Sequence, residues 1–600
     1  MNPPCSRQLA AACCCAIPGL AWAALIAAVA FAAMAPTLCW VEFSYNVERL
    51  NVASALEMRR GGTWLIPTLE GEPRVRKPPL MAWITAWAIR PQTVADLGSL
   101  DAAVRNHAAR RLAFQARWPA LAMACLMLLA VYHLGRTLVD PLTGVIAALV
   151  AATTAYFAWF ARQAITDIPL MLFVSIANAM LAVALIDGRR MGLILAGLSM
   201  GLGMMSKGPV IFTQTLVPAL LFVLWRTIRR DHGLPPEPDG GVQRPSWAAA
   251  LLLAVALMLA VGGAWFLFVA LRTPDVGGLW LKEVLRTDPV EKATSHWWSY
   301  LNLFPHLLPW TVFFIGGLII AVRAIAGERS WGRRVLGADE HRCNRIRDGL
   351  VYALLLIVVP ILIMSFFRDR KERYLLPLVA PCAVLVAASL REFLVMTRFG
   401  ILERTGLWAH WTLITVPAIG LPIAGACAWN DSFATIDGRP WFTPALAGST
   451  LFAAVAILIV GLLLHRRRRG SLIGVTAILM LAGQALLIHG HAQSRQGHSE
   501  FRPLAERIWR DHPTAVCYNL RGPDGRRKMA PPDLSIYLNR ITPVYDTVDQ
   551  IPPPTDRPQI YIELWEKNAP EPQPAPGWEF YARTPRNPRE WWVAFLRQPP

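Results

Sequence analysis

The sequence predicts a mainly α, polytopic helical membrane protein of about 13 spans, with a small extracytoplasmic α/β C-terminal domain. Three observations carry that expectation. Hydrophobic residues make up 54% of the 600-residue chain and charged residues only 16%, with a mean hydropathy of +0.38, outside the range of ordinary soluble proteins. Apolar runs of spanning length recur from Ala16 to Ile488. Beyond about residue 490 they stop, and Pro, Arg and Trp become common.

The runs lie near 16–38, 118–135, 141–160, 168–187, 191–206, 209–226, 248–271, 303–324, 349–366, 374–391, 408–428, 445–465 and 471–489. The first is too long and uniformly apolar for a cleaved signal and reads as a retained span. Pro78–Ile89 is too short to cross and reads as a helix in the membrane interface. With the amino terminus inside, the arginine-rich connections Arg226–Arg244, Arg323–Arg347, Arg391–Arg404 and Arg466–Arg469 all fall inside, as positive charge prefers. Counting Pro78–Ile89 as a span would put them all outside.

Residues 1–490 therefore form the transmembrane unit, with 39–117 as a first extracytoplasmic loop carrying interfacial helices. Residues 491–600 form the extracytoplasmic C-terminal domain. Within that domain Ala515–Tyr518, Ile560–Leu564 and Trp592–Leu596 read as strands, and Phe501–Trp509 and Pro532–Leu538 as helices. The formal charge of +19 is largely the arginine of topology and does not argue for nucleic acid. The ten cysteines show no metal-ligand spacing. The expected location is the inner or plasma membrane, crossed many times.

Chemically capable residues gather on the outer side. The first loop ends GGTWLIPTLEGEPRVRKPPL, with Arg76 and Lys77 beside an apolar run. Cations at a membrane edge call for an anion, and lipid phosphate is the obvious one. Glu42, Glu48 and Glu57 in that loop are candidate general bases, with plain ion pairing to neighbouring arginines as the competing role. Arg162 and Asp167 stand in ARQAITDIPL, where Asp167 also suits a helix N-cap. Lys207 stands alone between two spans in MSKGPV, a place where a snorkelling lysine is common. Arg368, Arg370, Lys371, Arg373 and Tyr374 crowd SFFRDRKERYLLP, at the edge positive charge normally avoids.

In order, these elements run from an acidic loop with Glu57-Met58 through KPPL, AR…TD, SKGP and HWWSYL…LLPW to KERYLLP. They resemble the GT-C class of polytopic, lipid-linked-sugar glycosyltransferases, similar to the bacterial aminoarabinose–lipid A transferases and the dolichyl-phosphate-mannose protein mannosyltransferases. The resemblance covers roughly residues 16–400. It implies transfer of a sugar from a polyprenyl-phosphate donor to a lipid, protein or glycan acceptor on the extracytoplasmic face. It further implies that Lys77 holds donor phosphate, that Arg162, Lys207, Lys371, Arg373 and Tyr374 share that cavity, and that His296, Trp298 and Tyr300 stack a sugar or acceptor; Arg76, beside Lys77, is this chain's own further candidate for the phosphate. Asp167, Glu48 and Glu42 are the candidate catalytic carboxylates.

This chain departs from the pattern in its first loop: the residue before the KPPL lysine, often Glu, is Arg76, and a second change lies further upstream. The family's loop begins Asp-Glu, ten residues before Glu-Met, and the Asp position here is Val47. Either Glu48 takes over as base, Glu42 reaches in, or transfer is lost and the chain is an inactive lipid-binding relative. A polyprenyl-phosphate-sugar flippase is the rival from another class, but it predicts polar groups along the spans and paired repeats, which the sequence lacks. The scheme requires no cofactor and no metal, although Glu and His side chains leave room for a divalent ion.

Overall fold

The computed structural model describes residues 18–39, 43, 46–229, 246–285, 296–367, 370–427, 435–436, 439–440, 444–495, 501–520, 532–566, 570–587 and 590–600. Among these, nine helices are long and apolar enough to cross a membrane, from Gly19–Cys39 to Ala447–His465. A tenth span is broken: Trp298–His306 and Thr311–Ile325 meet at 113°. Three shorter apolar helices, Pro141–Ala152, Met191–Lys207 and Ser471–Gln484, occupy positions where the sequence predicts spans.

The predicted run 141–160 is not one helix. Thr153 ends Pro141–Ala152, and the Thr154 hydroxyl accepts from the Phe157 N–H at 3.2 Å to start Ala155–Phe160. A hydroxyl cap outcompetes a continuous ladder here. The Ala102–Leu138 helix is much longer than its predicted span; it begins in the outer loop, where Asp101 caps it by accepting from Ala103. Leu80–Ala88 has nine residues, too few to cross a bilayer at 1.5 Å per residue.

Helices in the membrane gain little from apolar burial against one another, so close backbone approach matters. Gly135 and Gly144 supply it where Ala102–Leu138 meets Pro141–Ala152: a Cβ on Gly135 would lie 2.8 Å from the Gly144 Cα. One contiguous core runs from Leu38 and Leu56 through Ile168 and Leu350 to Leu385 and Trp411.

The strands are short in the membrane unit. Thr68–Leu69 (β1) and Glu72–Pro73 (β2) form a hairpin in the first loop, and Thr435–Ile436 (β3) pairs with Arg439–Pro440 (β4). The C-terminal domain carries a five-stranded sheet of Val516–Leu520 (β5), Val544–Tyr545 (β6), Gln559–Glu566 (β7), Glu579–Asn587 (β8) and Glu590–Arg597 (β9), in the order β6-β5-β7-β9-β8. β5 runs parallel to β6 and β7, while β9 is antiparallel to β7 and β8. Arg502–Asp511 packs Leu504, Ala505 and Ile508 against Ile560, Ile562 and Trp592 of that sheet.

Candidate active site

The Asn46–Arg59 helix organises the outer face. Glu48 on its first turn is buried, and both its oxygens are engaged. Arg117 donates from Nε to Oε1 at 2.9 Å and from Nη2 to Oε2 at 3.0 Å, and the Ala164 N–H adds a third bond at 3.0 Å. The Arg117 guanidinium also lies over the Phe43 ring at 4.7 Å. Arg162 stands beside this pair: burial pushes its guanidinium down to about 9, Arg117 adding to the effect and Glu48 opposing it. Glu48 thus ties the helix to the segment before Asp167. Val47, at the missing Asp position, packs half-buried on the core.

At the other end of the helix, Glu57 shapes the hairpin. It accepts from the Thr68 hydroxyl at 2.6 Å, the Glu70 N–H at 2.5 Å and the Gly71 N–H at 3.3 Å. Those bonds hold Glu70 and Gly71 in the left-handed region, φ +57° and +84°, which glycine tolerates and glutamate adopts at a cost. From the hairpin the chain runs through Arg74, which donates to the Leu50 carbonyl at 3.2 Å, to exposed Arg76 and half-buried Lys77.

The third element is a buried charge cluster. Asp167, first residue of the Asp167–Leu185 helix, accepts from Lys207 Nζ and lies 3.4 Å from Arg373 Nε. Lys207 sits over the Tyr374 ring at 4.0 Å and Arg373 at 5.4 Å. Lys77 is near enough for its charge to act on Lys207. Four stretches separated by up to about 300 residues are thereby joined: Lys77, Asp167, Lys207 and Arg373–Tyr374. Lys371 precedes them on the same segment, half-buried.

The aromatic segment reaches the same segment by a different route. Trp297–Asn302 is a 3₁₀ turn, with the His296 and Trp298 rings stacked at 4.3 Å and 6°. Tyr300 is buried. Asn302 donates to Glu372 Oε1 at 2.9 Å, and His306 pairs with Oε2 at 3.2 Å. The Tyr156 hydroxyl donates to the Glu372 carbonyl. Glu372, Asn302 and Arg117 were not singled out from the sequence. Arg117 carried a weak signal, as an arginine at the mouth of a span.

Glu42 lies outside the described residues. Among those described, no three His, Cys, Asp or Glu side chains converge to hold a metal ion. The C-terminal domain closes over the outer helix. Arg49 bonds Asp533 at 2.7 Å, Arg60 bonds Asn539 at 2.9 Å and the Ser535 carbonyl at 3.2 Å, and Asn519 donates to Glu70 at 3.3 Å.

A family model for dolichyl-phosphate-mannose-protein mannosyltransferase matches residues 109–235. An undecaprenyl phosphate-alpha-4-amino-4-deoxy-L-arabinose arabinosyl transferase of Edwardsiella ictaluri is 24% identical over 449 residues, 72% of this chain and 70% of that protein. Its counterpart from Enterobacter sp. is 28% identical over 209 residues, 33% of this chain and 31% of that protein. Crystal structures of ArnT from Cupriavidus metallidurans, one bound to undecaprenyl phosphate and one in the apo state, share the fold with TM-scores of 0.63 and 0.62 at 18% identity. Each similarity covers 96% of this chain and 98% of the other.

Proposed function

We propose that this chain, a polytopic glycosyltransferase of the GT-C class, transfers a sugar from a polyprenyl-phosphate donor to an acceptor on the extracytoplasmic face of the inner membrane. One observation carries the reading: Lys207, Arg373 and Tyr374 converge around Asp167 at the outer ends of their helices, with Lys77 near enough for its charge to act on Lys207. Cations from three separate stretches gather about one carboxylate, and a donor phosphate is an anion that matches such a site. The ArnT structure holding undecaprenyl phosphate has the same fold, and the arabinosyl transferases named above take their sugar from that carrier by name.

In this reaction the bond from the sugar's anomeric carbon to phosphate oxygen breaks as an acceptor oxygen bonds to the opposite face, inverting the configuration. Lys77, Arg76 and Lys371 stabilise the departing phosphate; the reading assigns its charge to lysine and arginine. His296 and Trp298, exposed beside the Lys371–Tyr374 segment, offer ring surface on which a sugar can stack, with Tyr300 buried in the same turn. Glu48, with both oxygens engaged, acts as an anchor of the outer helix in this reading. Asp167 holds the two buried cations in place. An acceptor that arrives ionised, as a phosphate on a lipid A-type molecule does, needs no proton removed, and the engaged state of both carboxylates favours such an acceptor.

The test is release of free polyprenyl phosphate by purified full-length protein supplied with polyprenyl-phosphate sugars and envelope extract. Wild type releases it. Lys77→Gln loses a charge-assisted phosphate contact of ~1.5–3 kcal/mol, roughly 10–100-fold in donor affinity. Donor that stays bound and intact under every condition would overturn transfer in favour of a transporter or an inactive lipid-binding relative.

A further inference from the structure

A second basic cleft lies at the opposite ends of the same helices. The Asp167–Leu185 helix carries Asp167 at its outer end and leads to Asp187 and Arg189 at its inner end, about 28 Å away for 19 residues. There the end of Ala102–Leu138, the turn after Leu185 and the first turns of Glu340–Ser365 enclose a cleft of about 670 Å³. Its charged walls include Arg136, Arg189, Arg342, Arg345, Asp140 and Asp187.

The charges do not balance. Arg345 pairs with Asp187 at 2.6 Å, and Arg391 reaches in to pair with Asp140 at 3.1 Å. Those pairs consume both carboxylates lining the cleft. Arg345 is further fixed by its bond to the Thr137 carbonyl at 2.9 Å. Arg136, Arg189 and Arg342 are exposed to the cleft's opening, and no ion pair is formed by any of them among the described residues. His133 and His341 add ring N–H donors to the lining. Arginine favoured on the cytoplasmic side by topology is spread over loops. Here three unpaired guanidinia from three separate elements line one concavity instead.

We propose that this cytoplasmic cleft binds a phosphate monoester, carried by a lipid headgroup or free in solution. Such a group bears about −1.5 to −2 charge at neutral pH and three acceptor oxygens, which suits planar donors arriving from three sides. Basic pockets between spans on the cytoplasmic side recognise anionic headgroups by this chemistry. The cleft is remote from the outer cluster, and the inference does not depend on sugar transfer.

The experiment uses full-length protein carrying Lys77→Gln, so that lipid held at the outer cluster does not dominate. Native mass spectrometry reads retention of phosphatidic acid against phosphatidylcholine, and thermal unfolding reads stabilisation by inorganic phosphate alone. Selective retention of phosphatidic acid that falls at least tenfold in Arg136→Gln/Arg189→Gln/Arg342→Gln assigns the cleft to a lipid headgroup. Stabilisation by inorganic phosphate that the triple variant abolishes, without lipid selectivity, assigns it to a soluble phosphate. Equal behaviour of the triple variant and its parent in both measurements overturns the proposal. Arg189→Glu alone serves as a second variant should the triple one fold poorly, and it must reduce the same signal.

Discussion

Replacing Glu48 by Gln separates two roles that share one residue. Arg117 is 4% exposed and receives its counter-charge from Glu48 through two bonds, at 2.9 and 3.0 Å. Glu48→Gln keeps one acceptor for Arg117 but presents an amide N–H₂ where the second oxygen stood, and it removes the carboxylate charge that this buried guanidinium meets there. Breaking a buried pair from one side costs about 3–5 kcal/mol, a large share of the ~5–15 kcal/mol that holds a typical protein folded. Replacing both partners by apolar groups removes the buried guanidinium together with its carboxylate, so Glu48→Leu/Arg117→Met is expected to regain most of that loss. The assay is the unfolding midpoint in detergent by tryptophan fluorescence, alongside polyprenyl-phosphate release. The expected result is a markedly lowered midpoint for Glu48→Gln and a largely restored one for the double variant. A Glu48→Gln protein with the wild-type midpoint and no turnover would refute this reasoning and make Glu48 the base.

Other outcomes follow from the same geometry. The Glu70 carboxyl is pushed up to about 8, first by burial and then by Glu57 and Glu72, so the folded chain keeps a proton that the unfolded chain gives up. Stability from this site is therefore full below the unfolded carboxyl value and falls as pH rises toward about 8, by roughly 1.4 kcal/mol per unit; Glu70→Gln should flatten that slope, and unfolding midpoints taken from pH 5 to 8 that keep the wild-type slope would contradict it. Arg60→Ala removes the bonds to Asn539 and Ser535, and limited proteolysis should then free the C-terminal domain faster than in wild type. Asp167→Asn leaves Lys207 and Arg373 buried without their carboxylate; its midpoint should fall, and inorganic phosphate should restore more of it than the same salt adds to wild type.

The sequence made the site's cations legible because each stands against apolar surroundings, where a charge needs a reason. Lys77, Lys207 and Arg373 stand out in this way, and the fold brings them to one place. Their carboxylate partners were harder to read. Whether Glu48 is a base or an anchor turns on Arg117, 69 positions away, and no local spacing carries that pairing. The broken helix at Thr153–Thr154 was hidden by hydropathy, which weighs side chains and ignores a hydroxyl that caps a backbone. In the C-terminal domain β5, β7 and β9 announce themselves by β-branched and aromatic runs. β8 does not, because register shifts between Phe580 and Ala582 and between Pro585 and Asn587 disturb its alternation, as bulges do.

The Asn46–Arg59 helix is fastened on both sides: Glu48 to the membrane unit, Arg49 and Arg60 to the C-terminal domain, with Glu57 folding the hairpin that leads to Lys77. Order in that hairpin and docking of the domain are therefore drawn from one shared reservoir of free energy. Thermodynamic linkage then works in both directions. Whatever factor a bound lipid phosphate contributes to holding the C-terminal domain down, a molecule grasping that domain in its docked position returns to the affinity for lipid phosphate.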